Sequence, residues 1–297
     1  MSNTATVLAF DFGASSGRAI RAVYDGQNLT YEEIHRFENV PIEKDGHLCW
    51  DVETLLKEIH TAIQKAGTFD SLGFDTWGVD FGLLDADGHL LANPVHYRDA
   101  RTNGKPEQAA ACMPAEELYA HTGNQIMAIN TLFQLLALQE QEPELLQKAE
   151  QILFMPDLFA ALLGAEPVCE RSIASTSQML DPRTGQWSRE VLAVYGLNEK
   201  HFAPIVASGT VTGTLANGAK IIAVAGHDTQ CASAAMPCAE EDSEHTAFLS
   251  CGTWSLLGTE LDAPILTADS CQSGLSNELG ANGKINYLKN IIGLWLI

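Results

Sequence analysis

The chain has little positive charge. Among its 297 residues, 17 lysines and arginines stand against 38 aspartates and glutamates, which gives a formal net charge of -21 at pH 7. This field repels nucleic acids and anionic membranes, so we expect neither as a partner. It also repels ATP. An ATP site in this chain would therefore need backbone N–H groups, Mg²⁺ and a few local basic residues.

The cysteines also lack an organised pattern. Their number, seven, is odd, they are scattered along the chain, and none forms a Cys-x-x-Cys pair. A disulfide framework or a zinc site needs cysteines at characteristic spacings, so the pattern favours reduced thiols and a cytoplasmic location. We find no secretory signal sequence before the first predicted strand and no apolar run long enough for a membrane span.

Three common active-site motifs are absent. The sequence contains no Gly-x4-Gly-Lys-Ser/Thr phosphate loop, no Gly-x-Gly-x-x-Gly dinucleotide fingerprint and no His-Glu-x-x-His metal motif. A P-loop, a Rossmann-type site and a zinc-protease site are therefore unsupported.

The N-terminal segment predicts three consecutive strands. Residues 6–10, 19–24 and 29–37 are rich in apolar and β-branched residues, and Asp25-Gly26 marks a tight turn. Strands joined by tight turns favour an antiparallel meander.

The period then changes to that of a helix. Apolar residues from Val52 to Ile63 recur on one helical face, Asp51 stands at the expected N-cap, and Gly67 follows the last turn.

The remaining chain alternates between the two types of element. It reads as mainly helical between residues 106 and 164, as strands at residues 71–76, 220–225 and 246–250, and as the start of a helix at residues 287–297. This order predicts a mixed α/β fold, and the length suggests about two domains.

The segment from Asp11 to Arg18 directly follows the first strand. A carboxylate at a strand end can hold a metal ion, small residues let backbone N–H groups approach a phosphate, and Arg18 adds positive charge. An ordinary hairpin uses the same residue types. The segment also fits the Gly-x-Ser-x-Gly elbow of hydrolases, with Ser15 as nucleophile. That motif needs a helix after the turn, and residues 19–24 read as a strand, so a hydrolase is the weaker alternative.

A second acidic segment runs from Asp75 to Asp80. Trp77 offers a flat face to a sugar ring, and the carboxylates offer hydrogen-bond acceptors to its hydroxyl groups. Trp77 and Asp80 are therefore candidate substrate-binding residues, with a structural turn around a core tryptophan as the alternative.

Two later segments also follow predicted strands. In Gly226-His227-Asp228-Thr229, Asp228 suits a general base that takes the proton of an attacking hydroxyl group, and it equally suits a helix N-cap. The segment from Ser250 to Ser255 fits a second phosphate loop or a second hairpin.

In order and spacing these segments resemble those of the FGGY carbohydrate kinases, and within that family the members that phosphorylate L-rhamnulose. The resemblance extends over essentially the whole chain and rests on the joint occurrence of motifs that are weak singly. These motifs are Asp11–Arg18, His35–Phe37, Phe74–Phe81, Tyr97–Asp99 with Arg101–Gly104, Met155–Asp157 and Lys289–Trp295.

The resemblance implies the actin/hexokinase-like ATPase fold, in which two ribonuclease-H-like domains close over ATP and the sugar. Residues 4–240 would form the N-terminal domain, and residues 241–297 an incomplete C-terminal domain of the same type. Family members continue well beyond Ile297, so we expect a truncated chain that lacks the adenosine pocket and binds ATP poorly by itself.

The resemblance also implies roles for single residues. Asp11 would help to hold Mg²⁺, Asp228 would be the catalytic base, and Thr253 would face the nucleotide phosphates from the second domain. The ATP phosphates would contact the small residues and the arginine of the first loop, which are Ala14, Ser15, Ser16, Gly17 and Arg18. The ketose would contact Gly78, His227, Asp228, Thr229 and Asn290.

The implied reaction converts ATP and L-rhamnulose into ADP and L-rhamnulose 1-phosphate, a step of L-rhamnose catabolism. Two alternatives remain open. One is a related kinase that acts on fuculose, xylulose or another polyol, and the other is a sugar-binding remnant without catalysis. A monomer and a homo-oligomer are both compatible with the sequence.

Overall fold

The computed structural model describes residues 4–237, 245–252 and 254–293. Its strands are β1 (Ala5–Phe12), β2 (Ser16–Tyr24), β3 (Leu29–Glu38), β4 (Ile42–Lys44), β5 (His47–Cys49), β6 (Ser71–Thr76), β7 (Phe81–Leu84), β8 (Gln151–Phe154), β9 (Cys169–Glu170), β10 (Leu180–Asp181), β11 (Gln186–Trp187), β12 (Ile205–Val206), β13 (Thr210–Thr214), β14 (Lys220–Ala223), β15 (Ala247–Cys251), β16 (Trp254–Leu261), β17 (Ser276–Leu279) and β18 (Ile285–Ile292). Its α-helices are α1 (Val52–Ala66), α2 (Lys105–Ala109), α3 (Ala115–Thr122), α4 (Thr131–Gln141), α5 (Pro143–Lys148), α6 (Met155–Leu162), α7 (Arg171–Ala174), α8 (Arg189–Val194), α9 (Asp228–Ala234) and α10 (Ala268–Gln272). Short 3₁₀ helices lie at Ala100–Thr102 and Glu199–His201.

A six-stranded mixed sheet forms the centre of the N-terminal part, in the order β13-β14-β6-β1-β2-β3. Strands β1, β2 and β3 pair antiparallel, which confirms the predicted meander. Strand β6 runs parallel to β1, and β14 runs parallel to β6. The carboxyl ends of β1, β6 and β14 therefore meet at one edge of the sheet, where α/β proteins place their ligands. In this register Asp11 lies beside Asp75, and Thr76 forms a bridge with His227.

Helices α1 and α6 pack on this sheet and close its core. The Asp51 side chain accepts a hydrogen bond from the backbone N–H of Thr54, which confirms the predicted N-cap of α1. Its buried stripe consists of Val52, Leu55, Ile59, Ala62 and Ala66. On α6, the ring of Phe159 stacks on that of Phe12 with centroids 4.9 Å apart. Aromatic packing thus fixes the end of β1, just before the first candidate loop.

Residues 105–162 are mainly helical, and helices α2 to α5 have their own apolar core around α4, where Leu132, Phe133 and Leu135 are fully buried. The predicted helical content is confirmed for most of this region. The exception is β8, which pairs antiparallel with β7. No helix within the described residues has the length and apolar character needed to cross a membrane.

A second, four-stranded antiparallel sheet has the order β15-β16-β18-β17. The prediction of a helix starting at Tyr287 is wrong, because Ile285–Ile292 form β18, which pairs with both β16 and β17. Residues 294–297 of that predicted helix lie outside the described residues. Several hydrogen bonds join this sheet to the N-terminal part. Among them, Leu279 N–H donates to Ser175 Oγ at 2.9 Å, and Arg171 donates to the Ala281 carbonyl at 2.6 Å.

Candidate functional site

A cleft of about 530 Å³ opens at the carboxyl edge of β1, β6 and β14. The six-stranded sheet supplies one wall, and Ser276, Glu278 and Asn290 of the second sheet supply part of the other. A volume of this size is typical of sites for small molecules, which lie within roughly 300–1,000 Å³. Both parts of the chain therefore contribute to one site.

The structure brings most of the predicted site residues together in this cleft. Those that line it are Asp11, Ala14, Arg18, Trp77, Gly78, His227, Asp228, Thr229 and Asn290. The lining does not include Ser15, Ser16, Gly17 or Asp80. Thr253 lies outside the described residues.

The first candidate loop is a tight hairpin between β1 and β2. Gly13 N–H donates to the Ser16 carbonyl at 2.9 Å, and Asp11 pairs with Arg18 at 2.5 Å. Because a strand follows the turn, Ser15 lacks the strand–turn–helix context of a nucleophile elbow, and the hydrolase alternative loses its support.

Gly17 lies inside β2 rather than in the turn. A Cβ atom at this position would lie 2.3 Å from the Phe37 ring. Close packing between β2 and β3 therefore explains this glycine without a phosphate contact.

Three carboxylates converge on the floor of the cleft: Asp11, Asp75 and Asp228. Burial raises the pKa of Asp75 well above its usual value, and the charges of Asp11 and Asp228 raise it further. The charges of Asp11 and Asp228 thus oppose the ionisation of Asp75, and Arg18 offsets only part of this effect.

Asp228 stands at the start of α9, and 39% of its side chain is exposed to the cleft. Its Oδ1 accepts a hydrogen bond from Thr229 N–H at 2.5 Å, and His227 Nε2 lies 3.5 Å away. Burial raises the pKa of Asp228, although the charge of His227 and the hydrogen bonds from Thr229 lower it. A carboxylate that is exposed to a cleft and has a raised pKa suits a general base.

Asp80 does not reach the cleft, which corrects the expectation of a substrate contact. Its side chain is fully buried and accepts hydrogen bonds from Trp50 Nε1 at 2.6 Å, Trp77 Nε1 at 3.0 Å, Gln134 Nε2 at 2.9 Å and Tyr97 N–H at 3.2 Å. Burial raises its pKa to about 6, although these donors favour the ionised form. Asp80 therefore holds Trp77 in place from behind the cleft.

Val79 has a backbone conformation that β-branched residues rarely adopt, with φ at 66°. Asp80 N–H donates to the Gly78 carbonyl at 2.9 Å, so residues 78–80 form a three-residue turn. Thr176 Oγ1 accepts from Val79 N–H at 3.2 Å, and Thr131 Oγ1 donates to the Val79 carbonyl at 2.6 Å. These bonds hold a strained turn at the cleft wall, as is common at functional sites.

Several lining residues were not predicted. Asn124 is 3% exposed and donates to the Ser175 carbonyl at 2.8 Å, whereas its Oδ1 has no hydrogen-bond partner among the described residues. Gln125 and Thr176 also come from connecting segments, and Glu278 comes from β17. Their sequence neighbourhoods contain no motif that would have marked them.

The described residues contain one group of three metal-ligand side chains whose ligand atoms all lie within 4.8 Å of one another: Asp85, Asp87 and His89. It lies at a turn, where the Asp85 carboxylate accepts backbone N–H groups of Asp87 and His89 at 2.9 Å and 2.8 Å. These turn hydrogen bonds explain the cluster without a metal ion.

Comparison with known proteins gives matches over most of the chain. Residues 6–234 match the model of the N-terminal domain of the FGGY family of carbohydrate kinases. The rhamnulokinase of Bacteroides thetaiotaomicron is 41% identical over an alignment that covers 98% of this chain and 62% of the rhamnulokinase. This chain therefore spans less than two thirds of that relative's length.

Solved structures show the same fold at low sequence identity. A ligand-bound xylulose kinase from Lactobacillus acidophilus superposes with a TM-score of 0.80 at 16% identity, over 95% of this chain and 59% of that one. A glycerol kinase from Plasmodium falciparum with ADP superposes with a TM-score of 0.74 at 17% identity, over 96% and 60% of the two chains. At these identities the superpositions show a common fold.

Proposed function

The chain belongs to the FGGY family of carbohydrate kinases, and from this premise we propose that it transfers the γ-phosphoryl group of ATP to a hydroxyl group of L-rhamnulose. The observation that carries the proposal is the position of Asp228. Its carboxylate opens into the same cleft as Trp77, Gly78 and the first hairpin. The choice of L-rhamnulose is supported by the 41% identity to a rhamnulokinase.

The proposal divides the chain into an N-terminal kinase domain at residues 4–240 and part of a C-terminal domain at residues 241–297, in a protein of the cytoplasm. The central six-stranded sheet and the second sheet support this division, because each pairs its strands only within itself among the described residues. The cleft between the sheets would hold the sugar.

The sugar would be recognised by an apolar face and by polar side chains around it. Trp77 offers an apolar face, and the missing side chain at Gly78 leaves room, because a Cβ there would lie 3.4 Å from both His227 Nε2 and Thr176 Cγ2. His227, Thr229 and Asn290 surround the same space. Such contacts would hold one sugar hydroxyl group beside Asp228, which would accept its proton as it attacks phosphorus.

The phosphates of ATP would lie along the β1–β2 hairpin. Ala14 and Arg18 line the cleft there, so the backbone and one guanidinium group would contact phosphoryl oxygens. Ser15, Ser16 and Gly17 would shape the hairpin around them, and Thr253 would approach from the second domain.

The residues present fit a magnesium ion. The charges of Asp11 and Asp228 add to burial in raising the pKa of Asp75, and Arg18 offsets them only in part. A cation is therefore favoured here, and Mg²⁺ is usually held by one or two carboxylates together with substrate phosphates. Asp11 would supply the carboxylate, and the ion would neutralise charge on the phosphoryl oxygens.

The proposal is tested by two measurements, each made on this chain and on a form extended to the length of the rhamnulokinase, because the chain by itself is expected to bind ATP poorly. Calorimetry would measure binding of L-rhamnulose, L-fuculose and D-xylulose, and a coupled assay would measure ADP release with ATP and Mg²⁺. We expect L-rhamnulose to bind most tightly. We expect Asp228→Asn to keep sugar binding and to lower phosphoryl transfer by about 10²–10⁴-fold, the usual contribution of a general base. Asp87→Asn, which changes an exposed carboxylate outside the cleft, is the matched control.

Three results would contradict the proposal. Equal turnover in Asp228→Asn and in the control would exclude Asp228 as the general base. Preferential phosphorylation of another ketose would show that L-rhamnulose is not the preferred substrate. Sugar binding without any ADP release would favour the second candidate, a sugar-binding protein without catalysis. That candidate is worth testing because the chain spans 62% of the rhamnulokinase that it resembles.

A further inference from the structure

A buried glutamate of the second sheet contacts the segment that carries the proposed base. Glu278, on β17, is 4% exposed. Its Oε2 lies 2.8 Å from His227 Nδ1 and accepts a hydrogen bond from Gln230 Nε2 at 2.8 Å. His227 and Gln230 belong to the N-terminal part, directly before and within α9. The glutamate therefore links the two sheets at the cleft.

The other nitrogen of His227 faces the cleft. His227 Nε2 lies 3.5 Å from Asp228 Oδ1, and the Cβ position of Gly78 would lie 3.4 Å from it. Since Gly78, His227 and Asp228 all line the cleft, Nε2 lies where a bound ligand would contact it. The two ring nitrogens thus have separate roles, one towards Glu278 and one towards the ligand.

We propose that Glu278 is a positioning residue, which holds His227 as a hydrogen-bond donor at Nε2, directed at the substrate beside Asp228. This inference rests on the proposed function, because it takes the occupant of the cleft to be a sugar. The Glu278 carboxylate accepts the Nδ1 proton, so the ring orientation is fixed. Nε2 carries a proton for a sugar oxygen when the ring is the imidazolium, the form that a neighbouring carboxylate favours.

The charges around the imidazole support this arrangement. Glu278 from β17, Asp228 from α9 and Asp75 from β6 all face it, while Arg18 is paired with Asp11. Burial alone would lower the pKa of His227. The charge and hydrogen bond of Glu278, followed by the charges of Asp228 and Asp75, outweigh burial and raise the pKa to about 9. His227 is then an imidazolium at neutral pH and donates from both nitrogens.

The arrangement also makes the base depend on the second sheet. Glu278 lies on a strand that pairs with β18, and the backbone of the next residue, Leu279, donates to Ser175. The carboxylate therefore reaches His227 only when the second sheet is docked on α7. A sheet that moves away would leave His227 without its acceptor, and the ring beside Asp228 would lose its fixed orientation.

The test compares Glu278→Gln with Glu260→Gln, a glutamate of the same sheet that pairs with Lys284 and does not line the cleft. Histidine ¹⁵N NMR, with His227→Gln to assign the resonance, would report the proton affinity and tautomer of His227. In Glu278→Gln we expect the proton affinity of His227 to fall more than about tenfold. We expect the affinity of the chain for L-rhamnulose to fall about tenfold at pH ~7.5. We expect Glu260→Gln to change neither, and Glu278→Asp to restore part of both.

An unchanged His227 titration in folded Glu278→Gln would overturn the inference. If that variant does not fold, the wild-type chain decides, because a His227 pKa below the usual 6.5 would equally overturn it. In a third outcome the wild-type chain binds no ketose, but the titration of His227 still depends on Glu278. This would support the pairing of Glu278 with His227 and overturn the contact between His227 and a sugar. That result would mark a failure of the proposed function rather than of the pairing.

Discussion

Asp80 gives a prediction whose size follows from the structure. The carboxylate is fully buried, and its pKa is raised from 3.8 to about 6. Folding therefore disfavours the ionised form, and the folded state binds a proton that the unfolded state has lost. For an acid with a raised pKa, the unfolding free energy rises as the pH falls through the folded pKa towards the unfolded one.

The magnitude comes from the two pKa values. At about 1.4 kcal/mol per pKa unit, ionised Asp80 costs about 3 kcal/mol near pH 7 and about 1.6 kcal/mol near pH 5. Asp80→Asn removes this titration. It also places an amide NH₂ opposite Gln134 Nε2, and an unpaired donor costs about 1–3 kcal/mol. The two effects nearly cancel near pH 7, so the pH dependence is the informative quantity.

We expect the wild type to gain about 1.3 kcal/mol relative to Asp80→Asn between about pH 7 and about pH 5, measured by urea unfolding. Asp85→Asn is the control, because hydrogen bonds with backbone N–H groups lower the pKa of Asp85 below its usual value of 3.8. The stabilising contribution of Asp85 is lost only below that pH, so we expect the stability difference between the wild type and Asp85→Asn to stay constant between about pH 7 and about pH 5. If the stability of the wild type relative to Asp80→Asn stays the same or falls between about pH 7 and about pH 5, Asp80 does not have the raised pKa of a buried carboxylate.

Three further substitutions separate packing from ligand binding. Gly17→Ala would force a Cβ within 2.3 Å of the Phe37 ring, so we expect a loss of about 1–3 kcal/mol in urea unfolding, and an unchanged value would contradict the packing role. Gly78→Ala places its Cβ 3.4 Å from His227 Nε2, so we expect normal thermal stability and about tenfold weaker L-rhamnulose binding by calorimetry. Asn124→Ala removes a buried cleft-wall oxygen that has no partner within the described part of the chain, together with the hydrogen bond to the Ser175 carbonyl. We expect weaker sugar binding with a stability loss of about 1 kcal/mol, and unchanged binding would exclude a sugar contact.

Local patterns predicted the elements that local forces determine. The meander of β1 to β3 follows from short strands and tight turns, and α1 follows from its apolar stripe and the Asp51 cap. The prediction of a helix start at residues 287–297 was wrong for a physical reason. The spacing of Leu288 and Ile291 fits a helix face, but both residues belong to β18, which pairs with β16 on one side and β17 on the other. Pairing across the sheet overrides a short apolar period.

The candidate-site residues that lie at or just after the ends of strands could be predicted from the sequence. Asp11 lies at the end of β1, whereas Gly78 follows β6 and Asp228 follows β14. These three strands run parallel, and parallel strands bring such residues to one edge. Asp80 was misplaced because Val79 adopts a positive φ, and the resulting turn directs the chain away from the cleft. Glu278 could not be predicted, since it lies far along the chain from His227 and reaches it only through the docking of two sheets.

The charge of the cleft separates sugar recognition from nucleotide recognition. A ketose is neutral, and its hydroxyl groups can donate to the acceptors that an acidic cleft offers in Asp228 and Asn124. A nucleotide is an anion, and the place proposed for its phosphates lies beside Asp11 and Asp75, with Arg18 as a neighbouring cation. Sugar binding can therefore proceed on the charges present, whereas phosphate binding needs a cation to offset the carboxylates. His227 fits this division, because an imidazolium held by Glu278 contributes positive charge at the point where the sugar hydroxyl group, the base and the phosphoryl group would meet.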